Sequence, residues 1–301
     1  MKRRNFIQQS SAASAFVGLG GLSSLGFSEA PKHITILHTN DVHSHIEAFG
    51  PDHYKNPNMG GVAKRAVLIE KIRKENPNTL LLDAGDIFQG TPYFNFYGGE
   101  LEFKLMSKLK YDASTLGNHD FDNGIDGLYA QLPHADFDFL ISNYDFSNTI
   151  MDGHTKPYKV FTKNGVRIGV FGIGIELKGL VNDKLYKETR YLDPVERATD
   201  MSHALKHEEN CDLVICLSHL GYQYDSEKVD DHKLAAKTEN IDLIIGGHTH
   251  TFLDEPTIVK NKADKNVMIN QVGCYGLYLG RIDFYLNGRK PVSGNGQSVE
   301  V

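Results

Sequence analysis

Cysteine is scarce: Cys211, Cys216 and Cys274 are three residues in 301. An odd number without CxxC spacing excludes a disulfide framework and a thiolate metal site, so all three are expected to be inert, buried, apolar thiols. Basic residues are not in excess either. Lys and Arg total 32 against 38 Asp and Glu, a net charge of −6, which argues against binding to polymeric nucleic acid or an anionic membrane. An anionic substrate would therefore have to be attracted locally. There is no long apolar run: the stretch SAASAFVGLGGLSSLGF is rich in glycine and serine and falls short of the about 18 apolar residues that a membrane span needs. Internal repeats and low-complexity linkers are missing too. With 40% hydrophobic and 23% charged residues, the default is one large α/β domain.

The N-terminus reads as a separate object. MKRRNFIQQS precedes the small and apolar run, with no acidic residue before Glu29, the pattern of an export signal over residues 1–30. Arg3 and Arg4, followed by Asn5, Phe6 and Ile7, resemble the twin-arginine signal, whose machinery carries proteins already folded. A periplasmic or otherwise exported protein is expected. Ser28-Glu29-Ala30 fits a small-residue cleavage rule, although Pro31 would follow the cut.

Residues 32–301 alternate short β-branched runs with helical periods, predicting an α/β sandwich with strands buried on both faces. HITILHTND, TLLLDAGD, ASTLGNHD, DLVICLSH and DLIIGGHTH read as strands running into polar ends. Helices are predicted at VAKRAVLIEKIRKEN, GELEFKLMSKLK and DPVERATDMSHALKHEEN, the last with Asp193 as its cap and Pro194 at its first position. Hairpins are predicted about Asn164-Gly165 and near Asn287-Gly288, which makes the sheets mixed.

The strand ends carry the chemistry. Each places Asp, Asn or His just past its last apolar residue, and open α/β sheets bind ligands at the carboxyl ends of their strands. Five such ends could converge with Asp41, His43, Asp86, Asn118, His219, His248 and His250. Oxygen and nitrogen donors without sulfur suit Mn, Zn, Fe or Co. Seven are too many for one tetrahedral ion and suit two divalent ions sharing a carboxylate. Taken singly, each has a plain alternative: Asp41 as a turn cap, Asn118 as a left-handed residue, His219 as a satisfied core histidine.

In the order D-x-H, G-D, G-N-H-D, H, G-H-x-H, these residues resemble the signature of the calcineurin-like metallophosphoesterases. MGGVAKRAVLI, LLDAGDIFQGTP, YDASTLGNHDFDNG and NQVGCYGLYLGRIDF are similar to the branch of 5′-nucleotidases and UDP-sugar hydrolases. The likeness implies an α/β/β/α sandwich of two mixed β-sheets flanked by helices. It also implies a division of ligands, with Asp41, His43, Asp86 and His250 on one metal and Asp86, Asn118, His219 and His248 on the other. In-line attack on phosphorus by a metal-bridging hydroxide is the implied reaction. Such ions would outweigh Asp41, Asp86 and the hydroxide, giving an acidic protein a cationic pocket.

By the same likeness, His119 in GNHDFDNG is a catalytic group that faces the substrate and Asp122 orients it; Asp120 is assigned to holding the loop. The implied substrates are small phosphate esters, with 5′-nucleotides foremost. Two-domain relatives carry a further C-terminal domain that clamps the base, whereas this sequence stops soon after the catalytic pattern. That domain would come as a separate polypeptide, or discrimination among leaving groups would be weak. The alternatives are a thiosulfohydrolase of the same superfamily and a non-catalytic exported metal- or ligand-binding module. His45 lies close to His43, and the aromatic cluster PYFNFYGG could stack on a base or fill core.

Overall fold

The computed structural model describes residues 31–301, apart from the side chains of Lys290 and Val292. The export signal expected at residues 1–30 lies outside them. The strands run β1 Lys32–Thr39, β2 Thr79–Asp83, β3 Ala113–Ser114, β4 Asp138–Phe139, β5 Tyr144–Asp145, β6 Tyr158–Lys163, β7 Val166–Ile173, β8 Arg190–Tyr191, β9 Leu213–Ser218, β10 Leu243–Ile245, β11 Thr257–Lys260, β12 Asn266–Asn270, β13 Tyr278–Asn287 and β14 Lys290–Glu300. Among the described residues they form two six-stranded sheets, ordered β14-β13-β1-β2-β3-β4 and β11-β12-β10-β9-β7-β6, and a small pair, β5-β8. In both large sheets a parallel centre carries antiparallel strands: β1 to β4 and β7-β9-β10-β12 are parallel, while β13, β14, β6 and β11 run against their neighbours. Parallel neighbours share a direction, so the carboxyl ends of β1, β2 and β3 lie along one rim, as do those of β9 and β10.

Alternation within each strand divides the core. Ile34, Ile36, Leu80 and Leu82 of the first sheet meet Ile168, Val170, Ile215 and Leu217 of the second in one buried cluster. Leu37 and Leu81 point the other way, into a cluster with Ile69, Ile72, Phe103 and Met106. These come from the helices α1 (Val62–Glu75) and, after the short α2 (Pro92–Tyr97), α3 (Glu100–Leu109). On the far side, Phe171, Val214 and Ile244 pack with Ala198 and Leu234. The resulting layers are helix, sheet, sheet, helix, as the run-rich strands imply. At ~1.5–3 kcal/mol per buried aliphatic side chain, the central layer dominates cohesion.

Local signals behave as their chemistry requires. Asp193 accepts from the amides of Val195 and Glu196 at 2.9 and 2.8 Å and opens the helix Pro194–His203, which continues as a π turn through Ala204–Glu208. Asn164 and Gly165, at φ 49° and 70°, form the two-residue loop of the β6–β7 hairpin, a type I′ arrangement. The second hairpin sits one residue later than predicted. Asn287 pairs with Lys290, leaving Gly288-Arg289 as the loop.

One polar residue is built into the apolar layer. His38 of β1 is fully buried and its Nε2 meets Asn270 Nδ2 of β12 at 2.9 Å, joining the two sheets. Burial pushes its pKa down to about 3. The unfolded chain binds a proton near pH 6.5 that the folded chain refuses until about pH 3, so this residue makes stability fall as pH drops through that window. Replacing it in His38→Gln should remove up to about 1.4 kcal/mol per pH unit from the acid slope of the metal-free protein. Urea unfolding between pH 7 and 4.5 measures this, and superimposable slopes would contradict the buried neutral imidazole.

Candidate metal centre

All seven donors expected at strand ends meet at one rim. Asp41 and His43 follow β1, Asp86 follows β2, Asn118 follows β3, His219 follows β9, and His248 and His250 follow β10. They form two groups that could hold metal ions, Asp41-His43-His250 and Asp86-His219-His248, each with its donor atoms within 4.8 Å of one another. Asn118 Oδ1 lies 2.8 Å from His248 Nδ1, completing the second group with a neutral oxygen. The carboxylates of Asp41 and Asp86 lie between the groups. His219 Nε2 is 3.9 Å from Asp41 Oδ1 and 3.0 Å from Asp86 Oδ2, and His43 Nε2 is 3.9 and 3.8 Å from the same two atoms.

The histidines are aimed by their far nitrogens. His43 Nδ1 donates to Phe88 O at 3.1 Å and His219 Nδ1 to Ala84 O at 2.7 Å, which turns each Nε2 into the centre. Fully buried His219 Nε2 has no hydrogen bond of proper geometry, and His43 Nε2 faces His250 Nε2 at 3.0 Å. A buried His219 nitrogen without a partner and imidazoles converging on two carboxylates, with no sulfur among the donors, fit divalent cations of the Mn, Zn, Fe or Co kind. Charge in the metal-free site follows the same geometry. Burial opposes ionisation of both Asp86 and His219, but their mutual attraction prevails: Asp86 is held below the usual carboxylate range and His219 is raised to about 10.

The backbone is strained where donors cluster. Asp41, His43, Asp86, His248 and His250 all have φ between 50° and 71°, a region that costs non-glycine residues about 1–3 kcal/mol each. Hydrogen bonds hold them there. Asp41 Oδ1 and Oδ2 accept the His248 amide at 3.0 and 3.1 Å, and Asn40 Nδ2 donates to Asp41 Oδ2 at 2.6 Å. Asp120 does more. Its buried carboxylate accepts four amides, those of Asp86, Ile87, Phe88 and Gly117, at 3.0, 2.9, 3.2 and 2.8 Å. Burial and the Asp86 charge push its pKa up to about 7, while those donors pull toward ionisation. Gly117 is needed for close approach, since a Cβ there would collide with Asp86 Oδ1.

His119 stands apart from the donors. Its Nδ1 lies 2.7 Å from Asp122 Oδ2, its ring meets the His43 ring edge-on at 5.2 Å, and its side chain is 42% exposed. The Asp122 hydrogen bond raises its pKa. Sequence reasoning missed two neighbours. Tyr275 packs 6.0 and 5.9 Å from the rings of His43 and His250, and Cys274 lies near His250. The expectation of three buried thiols holds for Cys211 and Cys216, whereas Cys274 is half-buried beside the centre. No spacing rule reports such a contact, because the residue is distant in sequence. His45 packs against Tyr275, ring centres 4.3 Å apart and planes tilted by 38°. Of the aromatic cluster, Phe94 fills core while Phe96 and Tyr97 are exposed.

The calcineurin-like phosphoesterase family profile matches residues 34–252. The chain belongs to this family. It is 35% identical over 286 residues to a snake venom 5′-nucleotidase of Crotalus adamanteus, covering 87% of this chain and 47% of the relative. The Homo sapiens 5′-nucleotidase is also 35% identical, over 88% of this chain and 49% of its own. The crystal structure of a 5′-nucleotidase precursor from Thermus thermophilus superposes with a TM-score of 0.82 at 32% identity, over 90% of this chain and 55% of that one. This chain thus spans about half the length of the curated relatives it matches.

The Asp120 clamp yields a direct expectation. Asp120→Asn keeps the volume but leaves one pair of buried amides facing an NH₂ group, which should cost ~2–6 kcal/mol at ~1–3 kcal/mol per unsatisfied donor. Chemical unfolding of the metal-free variant measures it, and a loss below about 0.5 kcal/mol, the low end for any hydrogen bond, would mean that the clamp does not hold the loops.

Proposed function

We propose that this chain is an exported metal-dependent phosphoesterase acting on small phosphate esters of the 5′-nucleotide class. The observation that carries the reading is the pair of donor groups at the joined strand ends with a separate, exposed His119–Asp122 pair beside them. Asp41, His43, Asp86 and His250 would hold one divalent ion, and Asp86, Asn118, His219 and His248 a second. When bound, two such ions supply Lewis-acid charge for phosphoryl oxygens and lower the pKa of water.

The chain's own residues do the rest. Asp122 Oδ2 accepts from His119 Nδ1–H, which fixes the ring and favours the imidazolium, whose second proton is carried at Nε2 toward substrate. A proton held at Nε2 serves either the phosphoryl oxygens or the departing alkoxide. Asp120 and Asn40 keep the ligand loops in place and touch no substrate. Donors that read only phosphate discriminate weakly among leaving groups, so nucleotide preference would rest on a further domain or a separate polypeptide.

Purified protein loaded with manganese should hydrolyse AMP, UDP-glucose and bis-p-nitrophenyl phosphate, and leave a thiosulfonate untouched. Thiosulfonate turnover without ester hydrolysis would move the assignment to sulfur chemistry, and inactivity on all four would favour a binding module. His119→Ala should keep its metals and lose ~10²–10⁴ in turnover of natural esters, with a smaller loss for p-nitrophenyl esters, whose leaving group scarcely needs a proton. Asn118→Ala should weaken metal binding and slow every ester alike. Equal losses for both ester classes in His119→Ala would reject proton donation to the leaving group.

The export assignment rests on Arg3 and Arg4 in MKRRNF. Changing both to Lys keeps charge and removes the guanidinium pair, and should leave folded precursor inside the cell. Cell fractionation reads the outcome, and unchanged export would point to the general secretory route.

A further inference from the structure

Beside the turn that carries Asp41 and His43 lies a small, partly open cavity of about 20 Å³, lined among others by Val42, Arg65, Asp83, Ile87, Glu102 and Tyr111. Arg65 comes from α1 and Glu102 from α3, and they are 4% and 5% exposed. Although the two charges border the same space, no nitrogen–oxygen pair between them lies within 4.0 Å. Arg65 Nε and Nη1, both Glu102 oxygens and the Ser44 hydroxyl are buried without hydrogen bonds of proper geometry. Leaving the four Arg65 and Glu102 atoms dry would cost about 1–3 kcal/mol each, a large share of the roughly 5–15 kcal/mol that holds a domain folded. A water needs roughly 10–15 Å³ of such space and two to four polar partners. The cavity offers both.

We propose that this cavity is a structural water site joining Arg65 to Glu102, and that the two residues position the ligand turn above it. The walls set Arg65 against the carboxyls of Asp83 and Glu102, whose ionisation burial opposes, a mixed set that suits water better than a free ion. Val42, between Asp41 and His43, forms part of the roof, and Ser44 sits beside Glu102. The turn is strained: Asp41, His43 and Ser44 have φ of 50°, 50° and 57°, and its ties across the chain include the amides of His43 and Ser44 on Asp86 O and Ile87 O at 3.1 and 2.8 Å. Water held on Glu102, which Ser44 adjoins, would oppose relaxation of that strained backbone. Arg65 and Glu102 are thus positioning residues, a role that rests on the proposed metal-binding function of Asp41 and His43.

Three measurements test this. A crystal structure at a resolution that shows ordered solvent should place one or two waters within hydrogen-bond distance of Arg65 and Glu102; an empty cavity or a direct ion pair would overturn the proposal. The double variant Arg65→Met/Glu102→Leu removes both charges and keeps their bulk, so the fold should survive. In it, the His43 and Ser44 amides of the metal-free protein should exchange ~10-fold faster, and manganese should bind ~10–100-fold more weakly, the range for groups that hold ligands in place. Glu102→Gln keeps a polar partner for water and should recover most of both; it also carries the test if the double variant fails to fold. Unchanged exchange in the variants would reduce the pair to packing. Failure of the unmodified protein to bind manganese would instead remove the metal reading, while solvent structure and amide exchange still decide the water site.

Discussion

The buried carboxylate of Asp120 is the interaction on which the centre depends. Four amides from two loops end on its two oxygens, so the segment after β2 and the segment after β3 cannot move apart without leaving buried donors unpaired. Asp41 does the same across the sheets, accepting the His248 amide after β10. These bonds offset the left-handed backbone that five of the seven donor residues adopt. Relaxed loops would carry the same side chains pointing elsewhere. The site is a property of the hydrogen-bonded rim more than of any single donor.

Much of this was legible in the sequence, for a physical reason. Parallel central strands are buried on both faces, so they appear as apolar runs such as TLLLD and LVICLS, and any polar residue just past them stands out. The convergence of Asp41, Asp86, Asn118, His219, His248 and His250 follows from shared strand direction. His119 and Asp122 lie within one short loop, so their pairing could be read from adjacency. Long-range detail could not. Tyr275 reaches His43 and His38 reaches Asn270 only because the sheets stack, and Cys274 lies near His250 because β12 pairs with β10. The one-residue shift of the second hairpin has a different cause: an Asn-Gly pair marks a turn but does not fix which residues face across it.

Charge also follows from placement. A chain with net charge −6 concentrates nitrogen donors at one rim and turns the carboxylates of Asp41 and Asp86 inward, where a cation would meet them. His119, held by Asp122, stands at the edge of that rim with much of its surface free. This separates groups suited to holding ions from a group suited to moving a proton. That separation is what sets a hydrolytic reading above a purely binding one, because a store for metal has no use for an aimed imidazole.

On the proposed function, the rim would hold two ions that share Asp86. Anomalous X-ray diffraction from crystals soaked in manganese tests it most directly. Two anomalous peaks are predicted, one bordered by Asp41, His43 and His250 and the other by Asn118, His219 and His248, with the Asp86 carboxylate between them. One peak only, or two peaks away from these side chains, would contradict the account.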